Sequence, residues 1–79
     1  MGIYIDIKRL QISVESAEYS FITTDGRCGR FLLNRSSGET ELLEPAPNDS
    51  DGRLYARAAH KVKVAWREGI VLEKAVWAS

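Results

Sequence analysis

The segment EPAPNDSDG, residues 44–52, divides the chain into two parts that cannot share one kind of backbone. Its two prolines lack the N–H that a sheet or helix ladder needs, and its Asn, Asp, Ser and Gly residues favour turns. Before this break the apolar residues recur with the period of a strand. After it they recur with the period of a helix. A chain of 79 residues that switches period once makes a single small α+β domain spanning residues 1–79. A core this small gives little net stability, so tight packing, a partner or a second subunit would help it.

The first part reads as an antiparallel β-meander of about four strands. IYIDIKRLQISVE alternates apolar and polar residues. Ile3, Ile5 and Ile7 hold one phase, and Leu10, Ile12 and Val14 hold the other. A bulge near Lys8-Arg9 would restore a single face; two short strands meeting at a turn would also fit. EYSFITT and RCGRFLLN flank Asp25-Gly26, a strong hairpin signal. A loop of Thr24, Asp25 and Gly26 sets Tyr19 opposite Phe31 and Phe21 opposite Gly29. The same treatment of Ser36, Ser37 and Gly38 sets Phe31 opposite Leu43 and Arg35 opposite Glu39. Tyr19, Phe21, Phe31, Leu33 and Leu43 then share one face. Ile22, Cys28, Leu32 and Leu42 fall on the other, where Ile3, Ile5 and Ile7 would join them. Such a patch calls for a cover: the apolar tail 70–77, as a strand or a docked segment, or a second subunit in a homodimer.

After the break, GRLYARAAHKVKVAWREG reads as one amphipathic helix. At about 100° per residue, Leu54, Tyr55, Ala58, Ala59, Val62, Ala65 and Trp66 occupy one arc. Asp49, Ser50 and Asp51 are the expected N-terminal caps, and Gly69 is the expected stop. The solvent side carries Arg53, Arg57, His60, Lys61, Lys63 and Arg67. Its only acid is Glu68. Arg53, Arg57 and Lys61 form a column of like charge at a spacing of four, and each such pair costs a few tenths of a kcal/mol. A bland account exists: an outer face in water, balanced by Glu39, Glu41, Glu44, Asp49 and Asp51 just upstream and by the helix dipole. A partner carrying carboxylates or phosphates would instead turn that cost into attraction.

Catalytic chemistry is mostly missing. His60 is the only histidine and Cys28 the only cysteine, and nothing in the sequence brings them together. Neither a thiol–imidazole pair nor a protein-only zinc site follows. DGRCGR lacks the spacing of a phosphate loop, and GRFLLNR lacks the aromatic pattern of RNA-binding sheets. No cofactor is implied. Trp66 and Trp77 read as core plugs rather than stacking platforms. A lone cysteine fits a reducing compartment. No basic and apolar leader and no membrane-spanning run is visible, so the cytoplasm is the expected location.

The stretch from FLLNRSSGETELLEP to the terminal VWAS resembles small bacterial proteins with no established activity, a likeness covering about half the chain. By size and architecture, immunity proteins that neutralise toxins are an analogy. The expectation is a non-catalytic protein that binds another protein, an inhibitor or immunity-type role being one version. The alternative is a small regulator that binds nucleic acid through Arg53, Arg57, His60, Lys61, Lys63 and Arg67. The formal net charge of zero weakens that alternative. An enzyme would need a concave pocket holding titratable groups.

Overall fold

The computed structural model describes residues 4–78. Its elements in chain order are β1 Tyr4–Ile12, β2 Ser16–Thr23, β3 Cys28–Asn34, β4 Thr40–Glu44, α1 Arg53–Arg67 and β5 Lys74–Ala78. The strands form one five-stranded antiparallel sheet in the order β4-β3-β2-β1-β5, and α1 packs across one face. The meander therefore gains a fifth strand from the tail. KAVWA alternates, turning Ala75 and Trp77 toward the core and leaving Lys74, Val76 and Ala78 exposed. It closes beside β1 with Ile5 opposite Trp77 and Ile7 opposite Ala75.

The first hairpin register is as the aromatic pattern requires. Tyr19 lies opposite Phe31 and Phe21 opposite Gly29. Gly26, at φ 87°, takes the left-handed position of the Thr24–Gly26 loop. Thr23 closes that loop through its backbone, and its hydroxyl donates to the Asp25 carboxylate. Gly29 is needed for a different reason. A Cβ there would lie 2.5 Å from the Phe21 ring, so the ring fills the space a side chain would take.

The second register differs from the expectation by one residue. Phe31 faces Leu42, not Leu43, and Asn34 bonds Glu39 through the backbone. The cause is the turn. The Asn34 carboxamide oxygen accepts from the N–H groups of Ser36 and Ser37, which lengthens the loop to residues 35–38. A bulge at Leu43 then brings Glu44 opposite Arg30. Leu42 consequently packs on the core and Leu43 is exposed.

β1 carries the other bulge, at Leu10, one residue beyond the position read from the sequence. It sets Ile12 opposite the buried Ala17, so the phase flip is absorbed within one strand. Ile5 and Ile7 are fully buried on the helix side, not on the outer face. Ile3 lies outside the described residues. The core joins them to Tyr19, Phe21, Phe31 and Leu33 of the sheet and to Leu54, Ala58, Ala59 and Val62 of the helix. Tyr19 and Phe31 stack at 5.4 Å, and Tyr55 meets the Phe31 ring edge-on at 5.7 Å.

Candidate functional site

The helix starts where its first N–H groups find carboxylates. Gly52 is left-handed and offers no side-chain cap. Asp49 reaches forward instead, accepting from the N–H groups of Leu54 at 3.1 Å and Tyr55 at 3.3 Å, while Asp51 accepts from Arg53 at 3.3 Å. The helix ends on Gly69 at φ 85°, with Gly69 bonding Trp66 and Ile70 bonding Ala65. These ends fix the helix phase and send the six expected site residues to the side away from the core.

Their surroundings are not equal. Arg53 pairs with Asp51 at 2.9 Å, an exposed pair contributing little. Arg57 lays its guanidinium over the Trp77 ring, 4.7 Å from the centroid, and is thereby turned toward β5. Lys61 continues that flank one turn later. His60, Lys61 and Arg67 are exposed and Lys63 is half-buried. Among the described residues no carboxylate pairs with Lys61, Lys63 or Arg67. The upstream acids thus offset Arg53 alone. Glu44 turns away to the outer sheet face, where Arg30 bridges it and Glu18 at 3.0 and 2.9 Å.

The tryptophans separate the two flanks of α1. Trp66 donates its indole N–H to the Arg35 carbonyl at 2.8 Å and lies flat on Gly38. Tyr55 bonds the Thr40 hydroxyl at 2.7 Å. That flank is closed onto the β3–β4 end of the sheet. The opposite flank meets β5 through Arg57 and Trp77 and remains in water beyond it. Both rings are committed to the fold, Trp77 as a support for Arg57.

The outer sheet face is not the continuous aliphatic patch foreseen from the sequence. Ile5, Ile7 and Leu42 have turned inward, and the tail forms an edge strand instead of a cover. The remaining apolar groups are divided by charge. Ile22, Cys28 and Val76 lie in one row with Asp6; the next row runs Glu44, Arg30, Ser20, Lys8 and Lys74. Lys8 and Lys74 stand directly opposite each other, a like-charge pair.

A half-open groove of about 880 Å³ follows β1 and β5, its charged lining made by Asp6, Lys8, Arg9, Glu73 and Lys74. Among the described residues no three His, Cys, Asp or Glu side chains converge as a metal site, and Cys28 and His60 remain on separate elements. No helix among the described residues is long and apolar enough to cross a membrane. Sequence reasoning missed Lys8 and Lys74 as neighbours, because their pairing depends on the tail becoming a strand. No family model, curated protein or solved structure matches the chain, so the likeness to small bacterial proteins gains no support.

Proposed function

We propose that the protein is a non-catalytic, cytoplasmic binding protein that docks its basic helix flank on an acidic surface of another protein, as a small inhibitor or immunity-type protein would. One observation carries the reading. α1 has no acid in its first turn, and the like-charged column Arg57 and Lys61 is relieved by no carboxylate among the described residues. An arrangement that costs stability in the isolated chain is repaid when a carboxylate arrives. Trp77 supports the approach by fixing Arg57 in one orientation before binding, which lowers the entropy lost on docking.

The same bases favour nucleic acid as a second reading. Exposed Glu39, Glu41 and Asp51 lie on this protein too, and the zero net charge gives no long-range pull on a phosphate backbone. A capture experiment separates the two. The wild-type protein and the Arg57→Glu/Lys61→Glu variant are used as bait in native lysate, with and without nuclease. The reading expects a protein that is retained after nuclease treatment and lost with the variant. Material that vanishes with nuclease would favour the second reading, and equal capture by both baits would refute the role of the basic flank.

A further inference from the structure

β5 is the last strand on its side of the sheet, and among the described residues nothing pairs with its outer edge. Its backbone groups divide cleanly. Arg9 donates its N–H to the Glu73 carbonyl at 2.9 Å, which marks that pair as a hydrogen-bonded one. Continuing the register, Ala75 and Trp77 turn their N–H and C=O groups to β1, while Lys74, Val76 and Ala78 turn theirs outward. Little blunts this edge: KAVWA has no bulge and no proline, and its single charge is Lys74 at the start of the strand. Bases stand on both faces, and Asp6, opposite Val76, is the one acid among the β1 partners of this strand. Arg57, over the Trp77 ring, stands on the helix side with Lys61 one helical turn further along α1, and Lys74 with its neighbour Lys8 stands on the outer side.

We propose that β5 receives an extended acidic segment of the partner protein as a sixth strand. This rests on the reading of the protein as a binder of an acidic protein surface. The outward groups of Lys74, Val76 and Ala78 supply the main-chain hydrogen bonds. Side chains alternate across a strand, so incoming residues opposite Ala75 and Trp77 project toward the helix. Two carboxylates spaced i and i+2 there meet Arg57 and Lys61, and an apolar residue between them meets Val76. The recognised chemistry is an acid–apolar–acid alternation in extended conformation.

A second copy fits the edge poorly. Two-fold pairing of β5 with itself places both helices on the same sheet face and turns their Arg57 and Lys61 flanks toward each other. The β4 edge of another copy is interrupted by its bulge at Leu43 and by Pro45.

The test uses the full chain, amide NMR and a synthetic hexapeptide of alternating glutamate and valine. The expected result is saturable shifts at the Lys74, Val76 and Ala78 amides. Affinity should fall at least tenfold for the lysine–valine peptide, for a glutamate–valine peptide N-methylated on alternate amides, and for Val76→Pro. The Val76 N–H makes no bond inside the sheet, so proline there leaves the ladder intact; the N-methylated peptide makes the same cut without touching the protein. If charge reversal at Arg57 and Lys61 abolishes binding while N-methylation and Val76→Pro leave it unchanged, the strand proposal is overturned and the basic flank alone binds. Absence of saturable shifts also overturns it. So do shifts at the Val76 amide that depend on protein concentration without peptide, because a second copy then occupies the edge.

Discussion

The two edges of the sheet have the same length and opposite characters. β4 is bulged at Leu43, carries Glu41 and Glu44, and runs into Pro45. The helix flank above it is locked by the Trp66 indole on Arg35 and by the Tyr55 hydroxyl on Thr40. β5 is regular, nearly uncharged along its own length, and bordered by bases from α1 and β1. A bulge, acids and a following proline are ways of refusing another strand. Their concentration on one edge and absence from the other makes the molecule directional: one side is finished, and the other is left open.

The closed side should be the more sensitive to substitution. Gly38 sits at φ 77°, and a Cβ there would fall 2.4 Å from the Trp66 ring. Gly38→Ala combines an unfavourable backbone with overpacking, and we expect a loss of about 3 kcal/mol in denaturant unfolding. A loss below about 1 kcal/mol would mean that Trp66 swings away easily and that this side is not locked.

The next effect lies under the open side. The Tyr19 hydroxyl donates to the Leu72 carbonyl at 2.6 Å, and Arg9 donates to Val71 at 3.2 Å, so the connection into β5 is tied from below. Burial raises the Tyr19 phenol above its ordinary value, partly opposed by Arg9 and Arg35. The folded state therefore holds this proton more tightly than the unfolded chain. The contribution is fully present below the ordinary tyrosine range, about pH 10, and is lost as pH rises through the folded value. Tyr19→Phe should cost about 1 kcal/mol at neutral pH. The wild-type advantage should shrink at alkaline pH, and a difference that stays constant to pH 11 would contradict the burial account.

The smallest effect on stability is expected at the open side itself. Arg57→Glu with Lys61→Glu loses the contact with Trp77 and replaces one like-charged pair at a spacing of four by another, while the acid at position 57 gains Arg53 as an opposite-charge neighbour. The net change should stay within about 1 kcal/mol. Collapse of the fold in this variant would show that these bases are structural, and the contrast between the two sides would fail.

Much of this fold was legible because it depends on neighbours in sequence. Asp25-Gly26 fixes one turn, and the aromatic spacing around it admits one coherent register. The helix face from Leu54 to Trp66 and its stop at Gly69 follow from periodicity and a single glycine. The second turn was illegible because a side chain closes it. Asn34 accepts two backbone N–H groups, and that choice moved Leu42 into the core and Leu43 out of it. The bases of the candidate site were legible as residues, but their inequality was not. Arg57 is oriented by Trp77, distant in sequence, and the open edge exists only because residues 74–78 pair with β1.

Hydrogen exchange along β5 tests the directional account most directly. In the dilute free protein the amides of Ala75 and Trp77, bonded to β1, should exchange slowly, and that of Val76 between them should exchange at near the rate of an open chain. A protected Val76 amide at a concentration where the protein is monomeric would contradict the account, because the edge would already be covered.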